Sequence, residues 1–188
     1  TQSSCFSIMR LKGSLPLMSM KESINVYTNV YTKKSIFGMD IYPEEFEAKD
    51  FVIFQNTRYK NNQIPMCCSF YTLLLNIKGK SLSYVNQYKY EVKDKSLQLL
   101  VPGVIYSFED IKDNNESLVI FFDYKFLSSE NQELLEFFQK EFEPNILKQE
   151  TYQEVLNIFK LLDQEYKNKK VDYQEYSKIL LLQLLYLL

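Results

Sequence analysis

The chain has no histidine among its 188 residues. It therefore lacks the side chain that most often moves protons near neutral pH, the imidazole metal ligand, and every Ser-His or Cys-His nucleophile arrangement. Its three cysteines, Cys5, Cys67 and Cys68, do not make a disulfide framework. Cys67 and Cys68 are adjacent in an apolar strand, so one faces the core and the other the opposite side, as structural thiols rather than a redox sensor. The paired acids Glu44/Glu45 and Glu109/Asp110 fall in expected loops, where carboxylates are solvated. The four glycines are isolated, which excludes a dinucleotide fingerprint and a phosphate loop. No catalytic residue, metal ligand or cofactor is assigned.

Recognition is the chemistry that remains. In a strand, successive side chains face opposite sides, so Val104, Tyr106 and Phe108 share one face while Ile105 and Ser107 share the other. Tyr84, together with Tyr88 and Tyr90 or their neighbours, adds phenols nearby. Aromatic walls with a few hydroxyls suit a small, partly apolar ligand, and Tyr84, Tyr106 and Phe108 are the candidate binding residues. The same rings also fill a small barrel by packing alone, and both readings stay open.

These residues are positioned by the stretch from Phe70 to Phe122, which reads as five or six short strands. They are separated by Lys78-Gly79, Asn86-Gln87, Lys93-Asp94, Pro102-Gly103 and Asp113-Asn114. At its centre a strand stops at Pro102, turns on Gly103 and starts again, as a hairpin. Upstream, Ile24 to Val30, Ser35 to Tyr42 and Phe51 to Phe54 are strand-like, and Met66 to Ile77 reads as one long central strand. Residues 1–23 lack clear periodicity. They are expected to be a flexible arm, one that folds over a pocket, or a stretch added for expression ahead of a natural start at Met18 or Met20.

After Phe122 the period becomes helical. Ser128/Ser129 cap a first helix that stops before Pro144, Thr151 caps a second carrying Val155, Leu156, Phe159 and Leu162, and Asp172 caps a third carrying Ile179, Leu180 and Leu184. Many strands followed by helices predict an α+β chain: a barrel over 24–128 and a helical segment over 129–188. With 15 Tyr, 14 Phe and no Trp, the composition favours strands around an aromatic interior. A net charge of −2 argues against a broad nucleic-acid footprint within these residues. The last run, Ile179 to Leu188, is half the length of a membrane span, and the start has no signal-peptide core. A cytoplasmic, non-membrane protein is expected, and the apolar ending looks cut, with more protein following.

Several segments resemble one family: Leu73-Leu-Leu-Asn-Ile-Lys-Gly-Lys80, Tyr88-Lys-Tyr-Glu-Val92, Lys95 to Phe108, Leu118-Val-Ile-Phe-Phe-Asp123, Phe126-Leu127, Gln164-Glu-Tyr166 and Tyr176 to Leu184. They resemble the N-terminal sensor domain of AraC-family transcriptional regulators, in the form common in Bacteroidetes, over roughly Ile24 to Leu188. The resemblance implies a cupin-like double-stranded β-barrel of jelly-roll type followed by a C-terminal helical dimerisation unit, with helix-turn-helix motifs further along that lie outside these residues. Tyr106 stands where the family pattern has a histidine. The implied function is to bind a small-molecule effector in the barrel and to control DNA binding by a separate domain. The implied partners are a second copy of the chain and, through the missing domain, DNA. Leu156, Phe159, Leu180 and Leu184 are the candidate dimer contacts. The alternatives are a dimerisation or protein-binding module without a ligand, or a cupin enzyme, which would need the histidines that are absent.

Overall fold

Strands that read as unbroken apolar runs, such as Leu73 to Leu75 and Leu118 to Phe122, are those with both faces covered. In the computed structural model they form the middle of a jelly-roll barrel. The structure describes residues 15, 17–20, 22–23, 51–56, 65–110, 115–127, 134, 136, 142–169 and 171–188. The strands expected over Ile24 to Val30 and Ser35 to Tyr42 lie outside these residues, as does most of the first expected helix, of which Leu134 and Glu136 are described and helical.

Ten strands are described: β1 (Leu17–Met18), β2 (Phe51–Asn56), β3 (Met66–Cys68), β4 (Tyr71–Lys78), β5 (Ser81–Val85), β6 (Tyr88–Val92), β7 (Ser96–Leu100), β8 (Ile105–Asp110), β9 (Glu116–Phe122) and β10 (Asn145–Ile146). They form two five-stranded sheets, one in the order β10-β7-β4-β9-β2 and the other in the order β1-β3-β8-β5-β6. All neighbours are antiparallel except β1 and β3. The chain crosses between sheets at nearly every turn, as a jelly roll requires.

Two local expectations are corrected by this topology. Met66 to Ile77 is not one strand: it breaks at Ser69-Phe70, with β3 in one sheet and β4 in the other. The break is fixed by backbone bonds from Ser69 N–H to the Met18 carbonyl (2.9 Å) and from Gly103 N–H to the Cys68 carbonyl (2.9 Å). The Pro102-Gly103 turn is likewise not a hairpin, because β7 and β8 lie in different sheets. Glu109 and Asp110, expected in a loop, end strand β8.

The stretch expected as an arm contributes to the barrel. β1 extends the second sheet beside β3, and Met20 and Ser23 are buried. At the other end, β10 pairs with β7 inside the segment expected to be helical.

Helices α1 (Gln149–Asn168) and α2 (Tyr173–Tyr186) follow. The N-cap of α1 is Lys148 with no side-chain bond, so Thr151 sits in the first turn rather than at the cap. Asp172 does occupy the N-cap position of α2, also without a side-chain bond. α1 ends where Lys169 adopts a left-handed conformation, its N–H bonded to the Glu165 carbonyl. Val155, Phe159 and Leu162 of α1 and Leu181, Leu184 and Leu185 of α2 join one core with the first sheet. Phe51 of β2 meets Phe126 at 5.0 Å and Tyr166 of α1 at 5.5 Å between ring centroids. The helices therefore cover the face of this sheet that carries Phe51, and the opposite face looks into the barrel.

Candidate functional site

Three turns meet at one end of the barrel: the Ser69-Phe70 break before β4, the Asn86-Gln87 turn between β5 and β6, and the Pro102-Gly103 turn between β7 and β8. Pro102 fixes the first central position of its turn, and Gly103 takes φ +80° at the second, the signature of a type II turn. Asn86, with φ 52°, is locked by two bonds to Ile105: its N–H donates to the carbonyl (2.7 Å) and its Oδ1 accepts from the N–H (3.2 Å). Between these turns lies a recess of about 380 Å³, bounded by Tyr71, Asn86, the segment from Val101 to Val104, and Phe142. Tyr71 stacks on Phe122 with centroids 5.0 Å apart. Burial pushes its phenol above the ordinary value, and the nearby Asp123 and Glu136 carboxylates add to this.

Inward from the recess, the two sheets present alternate residues to each other. Tyr106 and Phe108 lie on the inner face of β8, edge to face at 5.9 Å. The Cys68 Sγ lies 3.3 Å from the Tyr106 hydroxyl and 3.3 Å from Ser23 Oγ, tying the N-terminal segment to the barrel interior. Burial raises the pKa of the Cys68 thiol, opposed by these two hydrogen bonds, so it is a poor nucleophile. Cys67 faces the other way and is half-buried.

The inner faces also carry polar side chains that apolar packing does not call for. Thr72 of β4, one residue in from Tyr71, is opposite Leu100, while Gln98 of β7 is opposite Leu74 on the same face. Ser83 of β5 is opposite Phe108 in the other sheet. Thr72 Oγ1, Ser83 Oγ and Gln98 Oε1 are buried without a hydrogen-bond partner among the described residues. Gln98 Nε2 donates to the Phe142 carbonyl (2.7 Å), which links it to the wall of the recess. Among the described residues every buried polar side chain of the strands is uncharged, and the one buried carboxylate, Asp163, lies on α1.

The structure divides the candidate ligand residues. Tyr106 and Phe108 come together inside the barrel, whereas Tyr84 lies on the outer face of the second sheet. There it packs with Ile105, Leu82, Cys67 and Leu15, and its hydroxyl donates to Glu109 Oε2 (2.7 Å). Period two carries the reason: Tyr84 is opposite Ser107, not Phe108. Sequence reasoning passed over Thr72, Ser83 and Gln98. Their signal was a polar residue set among apolar ones within a strand, beside Tyr71 and Leu73, Leu82 and Tyr84, and Leu97 and Leu99.

The candidate dimer contacts fall largely inside the chain. Phe159, Leu180 and Leu184 are buried within the chain and Leu156 is half-buried, because the helices pack on each other and on the first sheet. The exposed apolar residues of α2 are instead Tyr176, Ile179 and Tyr186, at helical spacing along one side, with Leu161 exposed on α1. Next to that stripe, Gln183 Nε2 donates to Glu154 Oε1 of α1 at 3.4 Å.

No protein-family model and no curated protein matches the sequence. Solved structures match in fold. The chain is similar to the AraC-like transcriptional activator CuxR, with 13% identity and a TM-score of 0.50 over 72% of this chain and 52% of that one. It is similar also to apo ToxT K231A from Vibrio cholerae strain SCE256, with 15% identity and a TM-score of 0.51 over 70% of this chain and 52% of that one. The chain thus spans about half the length of each. Among the described residues no helix is long and apolar enough to cross a membrane.

Proposed function

We propose that this chain is the sensing and dimerising part of an AraC-family transcriptional regulator acting in the cytoplasm. The observation that carries the reading is the barrel followed by two packed helices, in a chain whose fold is similar to that of an AraC-like activator over 72% of its length. A small-molecule effector enters at the Pro102-Gly103 end and is held against Tyr106 and Phe108. The face of α2 that presents Tyr176, Ile179 and Tyr186 pairs with the same face of a second copy, since an apolar stripe exposed to water is stabilised by such burial. DNA contact belongs to a region outside these residues, in keeping with their net charge of −2. The reading is one of binding rather than catalysis, because the sequence supplies no histidine for a cupin metal centre.

An effector can act only through different affinities for two arrangements of the dimer. Helix α1 packs on the outside of the sheet whose inner face lines the barrel, so a shift of that sheet reaches the helices directly. Sedimentation of the full chain tests the assembly. The wild type is expected to run as a dimer and Ile179→Glu as a folded monomer. A wild-type monomer, or a dimer indifferent to this substitution, would remove the proposed interface.

A further inference from the structure

We propose that strand β6 is a second contact between copies of this chain, separate from α2, in which two β6 strands join edge to edge across a two-fold axis through Tyr90. β6 ends the second sheet, and no further strand pairs with it among the described residues. Which of its backbone groups face outward follows from its neighbours. The Asn86 N–H donates to the Ile105 carbonyl, so Leu82 and Tyr84 of β5 turn their backbone groups to β8, while Ser81, Ser83 and Val85 turn theirs to β6. Their partners Val92, Tyr90 and Tyr88 answer from β6. The N–H and carbonyl groups of Lys89 and Glu91 therefore point away from the sheet, as the edge that a further strand would meet.

That edge is complementary to itself. In an antiparallel pair, residues opposite each other exchange either both backbone bonds or neither. With Tyr90 on the axis, Lys89 stands opposite Glu91 of a second copy and exchanges both bonds with it, and the axis repeats the pair. A lysine on an edge strand ordinarily blocks such pairing. Here the register sets a carboxylate across from it, at the short spacing of cross-strand neighbours. Moving the axis to Lys89 or to Glu91 would instead set like charges opposite each other. Both side chains are exposed on the outer face: the Lys89 ammonium lies 5.7 Å from the centre of the Tyr84 ring, and the Glu91 carboxylate lies 3.1 Å from the exposed Lys93. On the inner face Tyr90 meets its own copy, and Tyr88, which is 53% exposed beside it, comes to lie opposite Val92. A strand of five residues buries less than the roughly 1,200–2,000 Å² of a standard interface, so this contact forms in concentrated samples and is open in dilute ones.

The test is sedimentation equilibrium of the full chain carrying Ile179→Glu, which takes the α2 contact out of the measurement. This chain is expected to be a monomer when dilute and to dimerise as its concentration rises. Adding Lys89→Glu or Glu91→Lys alone should weaken that association about ten-fold, because each sets like charges across the axis. Mixing the two single variants should restore it as a mixed dimer, since every opposed pair then carries opposite charges, and the double exchange in one chain should do the same. A merely structural role for either side chain would not be rescued by mixing. Amide hydrogen exchange supplies a second readout: the Lys89 and Glu91 amides should gain protection on concentration, while those of Tyr88 and Tyr90 are protected throughout. Absence of association at any concentration, association that ignores both substitutions, a mixture that stays monomeric, or Lys89 and Glu91 amides that exchange equally fast in dilute and concentrated samples would each overturn the inference.

Discussion

The two sheets of the barrel are buried to different depths. In the first, β4 is buried continuously from Tyr71 to Asn76, all five residues of β7 are buried, and β9 is buried from Ser117 onward. In the second, β5 is buried except at Leu82 and β8 is buried from Ile105 to Phe108, but the edge strand β6 runs exposed at Tyr88, Lys89 and Glu91, and buried only at Val92. The helices share the core of the first sheet, whereas β6 is an edge strand of the second. Stability and recognition are thereby separated. The outer face of the first sheet is glued to the helices, its inner face carries buried polar atoms, and the outer face of the second sheet holds only the small cluster of Tyr84 and Ile105.

The largest effect comes from placing a charge in the glued layer. Leu184 is fully buried between α2 and the core, so Leu184→Asp leaves an unpaired carboxylate among apolar side chains and is expected to remove more than about 4 kcal/mol. Circular dichroism should then show a chain without a cooperative unfolding transition. On the exposed side of the same helix, Ile179→Asp should stay within about 0.5 kcal/mol of wild type in a dilute sample where subunits are apart. Equal destabilisation by the two would mean that α2 does not separate a packed face from a free one.

A smaller contrast divides the two ends of the barrel. Gly79 (φ +98°) has no room for a methyl group: a Cβ there would lie 1.8 Å from Asn115 Oδ1 and 2.8 Å from its Cα. Gly103 (φ +80°) opens onto the recess with nothing within 4 Å. Gly103→Ala therefore bears only the left-handed backbone penalty of about 1–2 kcal/mol. Gly79→Ala adds a steric clash to the same penalty and should lose about 1–3 kcal/mol more by urea denaturation. If both lost the same amount, the polar corner around Gly79, Asn76 and Asp94 would be as free to move as the recess end.

Which parts were legible follows from the same division. Alternation placed Tyr106 and Phe108 on one face, and the turn residues marked five or six strands between Phe70 and Phe122, where the structure has six, because both are local signals. Assigning a strand to a sheet is not local. Pro102-Gly103 reads the same whether it joins strands of one sheet or of two, and the apolar run from Met66 to Ile77 hides a corner at Ser69 that depends on the distant carbonyl of Met18. The helix stripe of Phe159, Leu180 and Leu184 was visible, but its partner was not. An apolar face asks to be covered, and only the fold says that the first sheet covers it. Thr72, Ser83 and Gln98 were legible as polar residues in apolar strands, and what they signify depends on both sheets at once.

Alkaline pH tests how much of the glued layer relies on neutral phenols. Burial raises the pKa of Tyr166 and Tyr152 above the usual value near 10, as it does for Tyr71. A group whose pKa is higher folded than unfolded holds its proton more tightly in the folded state. Its contribution is complete below the unfolded value and is lost as pH rises through the folded one. The urea midpoint should accordingly be flat up to about pH 9 and fall above about pH 10, and Tyr166→Phe should flatten that fall. A midpoint that rises above pH 10 would contradict the buried, neutral state of these rings.

The smallest effect bears on the candidate site itself. Tyr84→Phe removes the hydrogen bond from the phenol to Glu109 Oε2 on the outer face of the second sheet, and should reduce stability by about 0.5–1.5 kcal/mol. Because Tyr84 is opposite Ser107 and packs in the small outer cluster with Ile105, any ligand held inside the barrel should bind the variant as it binds the wild type. Tyr106→Phe offers the internal comparison, since its hydroxyl lies 3.3 Å from the Cys68 sulfur on the inner face and its loss should alter binding. Should Tyr84→Phe weaken binding as much as Tyr106→Phe, the ligand would lie across the outer face of the second sheet, and the division of labour between inner and outer faces would fall with it.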